Sequence, residues 1–434
     1  MTLATMPKYD RYKDSGVEWL GEMPEEWELI PNKRLFTLKK TQVGKRSHDY
    51  DLLSLTLKGI VKRDMENPEG KFPAEFDTYQ EVKKGDFVFC LFDVEETPRT
   101  VGLSNFEGMI TGAYTVFSVN KGFDRQFLYY FYLNLDATKR LKPLYRGLRN
   151  TIPKDSFLGF KSFIPALNEQ AKIANFLDQK TAQIDQAVAI KQKQIVLLKE
   201  RKQILIQNAV TQGLNPDAPM KDSGIDWIGQ IPAHWEVKRT KYLLKEIDER
   251  SQTGQEELLS VSHMTGVTPR SEKNVTMFMS EDYSGSKLCR SGDLVINIMW
   301  AWMGALGVSD RTGIVSPAYG VFRERFHNTF NPKYLELLLK TTNYVEYYNK
   351  VSTGLHSSRL RFYGHMLFAM KIGFAPFDEQ NEIVKFIEKQ SQKIDQAIGL
   401  QQQQIDKLKE YKTTLINSAV TGKIKITPET RLKG

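Results

Sequence analysis

Two stretches of this chain carry side chains able to hold a polyanion and to read it. The first is Tyr145-Arg146-Gly147-Leu148-Arg149-Asn150-Thr151, inside a segment (Lys139 to Lys161) with seven Lys or Arg and one acid, Asp155. The second is Thr353-Gly354-Leu355-His356-Ser357-Ser358-Arg359-Leu360-Arg361, which has no acid. Arg can donate two hydrogen bonds to a guanine edge and Asn can pair with an adenine edge. Lys and Arg also neutralise phosphates without reading sequence. Arg146, Arg149, Asn150 and Thr151 in one loop, and His356, Ser357, Arg359 and Arg361 in the other, are therefore the expected DNA contacts. The bland alternative is a solvated basic loop. Recurrence of a basic Gly-Leu loop at one place in two copies favours contact. Lys45 and Arg46, in Lys45-Arg46-Ser47-His48, and Arg270 are further candidates. Trp300 and Trp302 lie in an apolar stretch and read as core rather than as base-stacking platforms.

Catalytic equipment is missing from the sequence. Gly44-Lys45 is followed by Arg46, so no phosphate-cradling G-x-x-x-x-G-K-[ST] loop forms. No H-E-x-x-H, no Cys/His cluster with metal spacing and no G-x-G-x-x-G after a strand is present. A DNA adenine methyltransferase needs an Asn/Asp-Pro-Pro-aromatic motif. The Asn-Pro pairs at Asn67, Asn215 and Asn331 all lack the second Pro. The expectation is a chain with no catalytic residues, no metal and no cofactor of its own.

The elements that position the two loops are written twice. Lys13-Asp14-Ser15-Gly16-Val17-Glu18-Trp19-Leu20-Gly21 returns as Lys221-Asp222-Ser223-Gly224-Ile225-Asp226-Trp227-Ile228-Gly229. Asn168-Glu169-Gln170 returns as Asp378-Glu379-Gln380, Ile184-Asp185-Gln186-Ala187 as Ile394-Asp395-Gln396-Ala397, and Ala209-Val210-Thr211 as Ala419-Val420-Thr421. The period is far longer than that of a solenoid; a whole module has been copied once. The expected organisation is a leading segment (1–26), a first head (27–166), a long helix (167–213), a second leading segment (214–234), a second head (235–376), a second long helix (377–423) and a tail (424–434). Gly and Pro in the leading segments (Gly16, Gly21, Pro24; Gly224, Gly229, Pro232) predict irregular backbone there, anchored by burial of Trp19, Trp27, Trp227 and Trp235. Lys84-Gly85-Asp86-Phe87-Val88-Phe89 and Ser291-Gly292-Asp293-Leu294-Val295-Ile296 read as a turn followed by a buried strand. One shorter helix is expected in each head, near 125–141 and 332–349.

The long helices have apolar positions at alternating spacings of four and three. Ile184, Val188, Ile195, Leu198 and Leu205 form the seam in the first. Ile394, Ile398, Ile405, Leu408 and Leu415 form it in the second, with Lys191/Gln401 and Lys202/Lys412 as matched polar breaks. Asn168 and Asp378 are the expected N-caps, and Gly213 and Gly422 the stops. Each helix would be about 65 Å long at 1.5 Å per residue. A helix of that length with one apolar stripe needs a partner; the other copy is the expected one, the alternative being that each helix lies on its own head, whose surface is too short for it. Antiparallel pairing would put the heads at opposite ends of a rod, with the first leading segment near the end of the second helix and a pseudo-twofold axis between.

Bulk properties agree. The 434 residues carry a formal net charge of +9 and are 41% hydrophobic, so ordinary cores and a polyanion partner both fit. Only Cys90 and Cys289 occur, at unrelated points of the repeat, which suggests no disulfide framework and a reducing, cytoplasmic setting. The charged N-terminal stretch does not read as a secretory signal, and no apolar run is long enough to span a membrane.

The Lys-Asp-Ser-Gly-aliphatic-acidic-Trp-aliphatic-Gly segments, each followed by Pro and a second Trp, together with the helices opened by Asn168-Glu169-Gln170 and Asp378-Glu379-Gln380, resemble the specificity subunit of type I restriction–modification systems. The resemblance covers nearly the whole chain as an architecture, and is specific in the leading segments and helices. It implies an α+β protein: two similar α/β target recognition domains joined by two long helices in an antiparallel coiled coil, pseudo-twofold symmetric. Each head would read one half of a split, asymmetric site in double-stranded DNA. Type I methylation subunits, commonly two, would dock on the helices and leading segments and bring S-adenosylmethionine. The resemblance leaves open whether a restriction subunit dependent on ATP and Mg²⁺ joins the complex. The rival class is a coiled-coil adaptor joining two protein partners; a self-contained methyltransferase or nuclease would need motifs absent from the sequence.

Overall fold

Helix formation over 167–212 and 377–420 follows from uninterrupted helix-compatible sequence, broken only by Gly399, and a single apolar stripe. A computed structural model describes residues 6–18, 21–65, 75–272, 282–354 and 359–427. The long helices run Leu167–Gln212 and Phe377–Val420. Both begin one residue before the expected N-caps, so Asn168 and Asp378 lie in the first turn. The leading carbonyls come from Ala166, which accepts from the amides of Glu169 and Gln170, and from Pro376, which accepts from Gln380. The chain divides into two compact units, Met1–Gln192 with Gln403–Gly434, and Lys193–Gln402.

In the first unit a four-stranded antiparallel sheet has the order Phe36–Lys39, Thr115–Val119, Phe87–Phe89, Val101–Leu103. Phe87, Val88 and Phe89 are all buried, as a strand covered on both faces requires. Helix Arg125–Ala137, N-capped by the Asp124 side chain, packs Phe127, Phe131 and Leu135 into the same core. The leading segment is more regular than expected. Tyr12–Asp14 and Glu22–Pro24 pair as a hairpin, because Asp14 accepts from Gly16 N–H (2.9 Å) and Ser15 Oγ donates to Gly21 O (2.6 Å), closing the turn with side chains. Trp27 is fully buried with Leu415, Ile416, Ala419 and Val420 of the second long helix. Trp19 lies outside the described residues.

Helix pairing within this unit is antiparallel: Asp185 meets Lys412 and Lys191 meets Gln404. Ile184, Leu415 and Ile405 are buried, and Val188 and Leu408 half-buried. Gly422 stops the second helix at φ +72°, against Pro24 and Trp27.

The second unit repeats this construction. Its sheet runs Leu244–Glu246, Gly320–Glu324, Leu294–Ile296, Leu306–Val308, the same order. Its leading hairpin pairs Met220–Asp222 with Gln230–Pro232. Trp235 is buried with Ala209 and Val210 of the first long helix, and Trp227 stacks on Tyr347 with centroids 4.7 Å apart. Lys202 meets Asp395 and Gly213 lies beside Glu379, again antiparallel, and Leu205 packs on the core that includes Ile383, Val384 and Ile387. Ile394 is buried, and Ile195, Leu198 and Ile398 half-buried. Gly213 stops the first helix at φ +78° beside Trp235 and Pro232. Where one helix was expected near 332–349 there are two, Pro332–Leu339 and Thr342–Val351, the second starting from the N-cap Thr341.

The repeated Glu-Gln at the start of each long helix has a structural job. Gln170 is buried; its Oε1 accepts from Asp124 N (2.8 Å) and its Nε2 donates to Pro165 O (2.8 Å). Gln380 does the same with Asn331 N (2.8 Å) and Ala375 O (2.8 Å). Each Gln thus ties the N-cap of the head's helix to the start of the long helix.

Candidate nucleic-acid interface

The two basic loops are closed by the same backbone device. Arg146 and Thr151 exchange N–H···O bonds of 2.8 and 3.0 Å; Thr353 and Arg361 exchange bonds of 3.1 and 2.8 Å. Past each closure the next amide docks on the loop that follows the central buried strand. Ile152 N donates to Leu91 O (2.7 Å) and Phe362 N to Ile298 O (2.9 Å). The loops are therefore held at equivalent places on equivalent sheets.

In the first head the turn Gly147–Asn150 has Gly147 at φ +68° and Asn150 at φ +45°, a backbone that Gly and Asn tolerate better than other residues. Leu148 at its tip is fully exposed (104%). Arg149 reaches Asp93 with two hydrogen bonds, Nε to Oδ1 at 3.0 Å and Nη2 to Oδ2 at 2.5 Å, and lies over Phe92. These hydrogen bonds hold the Asp93 carboxyl below its usual range. Arg146 folds back, its Nη1 donating to Tyr145 O (2.8 Å) and Pro143 O (3.2 Å). Thr151 is half-buried. Lys139 supports the neighbouring loop through Val94 O and Thr97 O (3.0 Å each), and Lys142 pairs with Glu95 at 3.2 Å. Asp93, Glu95 and Asp136 pair with Arg149, Lys142 and Lys139 of the basic segment and lower the net positive charge of the patch.

Lys45 and Arg46 are exposed on a different element, the 3₁₀ turn Gly44–Asp49, with Arg46 beside the Tyr50 ring. A run of contacts joins this region to the basic loop. Gln42 bridges Gln80, Gln80 Nε2 donates to Tyr114 O (2.6 Å), and Tyr114 stacks on Phe92 at 6.1 Å, under Arg149.

In the second head Arg359 is exposed, and Arg361 is half-buried with Nη1 donating to Leu360 O (3.0 Å). His356 and Ser357 lie outside the described residues. Arg270 follows the hairpin Leu259–Ser262/Gly266–Pro269, its amide bonded to Leu258 O (2.8 Å). The same bond in the first head is Arg63 N to Leu52 O (2.8 Å), so the positional counterpart of Arg270 is Arg63, which sequence reading passed over. Both Arg directly follow the second strand of a two-stranded hairpin, a correspondence that only the pairing register makes visible.

Trp300 departs from the expected core position. It is 46% exposed and stacks on the half-buried Trp302 with centroids 5.9 Å apart. The tight turn Ala301–Met303, stopped by Gly304 at φ +79°, carries the indoles outward from an otherwise apolar run. Among the described residues no group of His, Cys, Asp or Glu is arranged to hold a metal ion, and no helix is long and apolar enough to cross a membrane.

No protein-family model matches the chain. A curated relative, the type I restriction enzyme MjaVIII specificity subunit of Methanocaldococcus jannaschii, is 24% identical over 293 residues, 63% of this chain. The match spans 64% of that relative's length, a little under two thirds. Among solved structures, a chain from work on complex assembly and conformational transition of the type I R-M system has TM-score 0.65 at 13% identity, covering 93% of this chain and 99% of that one. The HsdS subunit from Thermoanaerobacter tengcongensis has TM-score 0.50 at 13% identity, covering 93% and 98%. The chain thus shares its fold with these structures: two similar α/β heads and two long helices. The resemblance read from the repeated motifs predicts the same architecture.

Proposed function

We propose that the chain is the non-catalytic, sequence-reading subunit of a type I DNA methylation and restriction complex. Each head reads one half of a bipartite, asymmetric site in double-stranded DNA. The observation that carries this is the pair of basic loops closed by equivalent backbone bonds on equivalent sheets, with different side chains in each. Equal scaffolds with unequal chemistry suit two different half-sites. The DNA-contact set is Lys45, Arg46, Arg146, Arg149, Asn150 and Thr151 in the first head, and Arg270, His356, Ser357, Arg359 and Arg361 in the second.

The long helices set the distance between half-sites and, with the leading hairpins, receive the methylation subunits. Exposed Val196, Leu197 and Ile204 on the first helix fit a protein partner. S-adenosylmethionine, ATP and Mg²⁺ belong to the partner subunits, and the complex works in the cytoplasm. The experiment is duplex binding by the chain assembled with its methylation subunits, over a range of salt. Sequence-selective binding that weakens steeply with salt is expected. Assembly with partners but no DNA preference would leave the adaptor reading instead.

A further inference from the structure

The geometry points to Asp93 as the residue that sets what the first head reads, by fixing the pose of Arg149; this rests on the DNA-reading role proposed above. Asp93 lies outside the basic loop, on the turn after the buried strand Phe87–Phe89. Its carboxylate takes the Nε and Nη2 edge of Arg149 at 3.0 and 2.5 Å. Phe92 supports the guanidinium from one face, with the ring centroid 5.8 Å from Cζ. The backbones are joined as well: Asp93 N donates to Arg149 O (2.8 Å) and Val94 N to Asn150 O (3.4 Å). Asp93 and Asn150 both sit at φ +45°, so the two turns are built around this contact.

An unrestrained Arg is a mobile charge that attaches to any phosphate. An Arg whose Nε edge is committed to a carboxylate has one orientation, a remaining Nη edge to present, and little net charge for non-specific attraction. The Arg149 side chain is 71% exposed, so that edge is open to a ligand. The clamp converts a phosphate neutraliser into a directional donor suited to a base edge.

The second head differs at this position. Leu91 and Ile298 are equivalent through their bonds to Ile152 and Phe362, and two residues on stand Asp93 and Trp300. At this register position the first head has a carboxylate bonded to its loop, and the second has an exposed indole. The residue at this register position is where the two heads' reading chemistries diverge.

The test is selection from a pool of duplexes randomised across both half-sites, using the full chain assembled with its methylation subunits, for wild type, Asp93→Asn, Arg149→Ala and Arg149→Lys. Asn keeps the size of Asp and tolerates left-handed backbone, so the first variant removes the charge alone. Arg149→Ala should lose discrimination at one step of one half-site by at least about fivefold. Asp93→Asn should relax the same step, strengthen binding to unrelated duplex and steepen the salt dependence, with the other half-site unchanged. Arg149→Lys, which keeps the charge and loses the fork, should relax the step too, and decides the matter if Asp93→Asn does not fold. Wild-type discrimination in Asp93→Asn or Arg149→Lys, or in Arg149→Ala, overturns the clamp while leaving the DNA-reading role in place. A wild-type complex with no sequence preference overturns that role and the clamp with it.

Discussion

The ammonium of Lys412 lies 2.7 Å from both carboxylate oxygens of Asp185 on the other long helix, and Lys202 meets its counterpart Asp395 at 2.9 and 2.7 Å. Lys412 and Lys202 occupy the matched polar positions of the two heptad seams. Their stems run along the seam while their heads reach the Asp of the repeated Ile-Asp-Gln-Ala motif. The lysines are 29% and 25% exposed and their partners 62% and 57%, so each pair gives about 0–1 kcal/mol and serves register more than stability. Lys412→Ala should therefore barely move a denaturation midpoint. Lys412→Glu should lower stability by up to about 1 kcal/mol through like-charge repulsion, and Asp185→Lys should restore it. Failure of the swap to rescue would argue against this register.

Gly422→Ala should be costly. At φ +72° a Cβ is strained by about 1–2 kcal/mol, and here it would also stand 2.4 Å from Pro24 ring atoms. Gly213→Ala meets chiefly the flexible end of Glu379 at 3.0 Å, so it should cost less. Thermal melting of the two variants gives the order directly; equal effects would contradict the described seat of the leading segment.

Gln170→Ala and Gln380→Ala each remove a buried amide that satisfies one backbone donor and at least one backbone carbonyl. Each should cost about 1–3 kcal/mol per group left unpaired. Hydrogen exchange should accelerate at Asp124 N–H in the first variant and Asn331 N–H in the second, and at neither site in the other.

Much of this was legible in the sequence because duplication makes a pattern visible twice. The heptad seam, the glycine stops and the buried Trp27 and Trp235 all depend on local periodicity or bulk, which one strand of text records. The rest depends on partners distant in sequence. Asp93 is 56 residues from Arg149, so a charge count along Lys139–Lys161 overstates how free that loop's cations are. Asp14 and Ser15 form a hairpin turn with their side chains, which Gly and Pro spacing alone presents as irregular. Trp300 faces outward because Ala301–Gly304 turns the chain, and an apolar run contains no mark of that turn. Arg63 emerges as the partner of Arg270 only through strand register.

Replacing Arg359 and Arg361 together by Ala should weaken DNA binding and relax one half-site only. The slope of log affinity against log salt should fall by about one for each phosphate no longer neutralised. Selection from randomised duplexes separates the half-sites. Equal loss at both would contradict independently reading heads.

Lengthening both long helices by one heptad adds about 10 Å at 1.5 Å per residue, or roughly three base pairs. The unread gap between half-sites should grow by that amount with the half-site bases unchanged. A constant gap would remove the helices as the spacer.

The most direct measurement is the base-modification map of host DNA with and without this gene. The proposed role predicts loss of methylation at one split, asymmetric motif and nowhere else, which would also reveal the two half-sites. An unchanged map, in cells whose methylation subunits are expressed and active, would contradict the sequence-reading role.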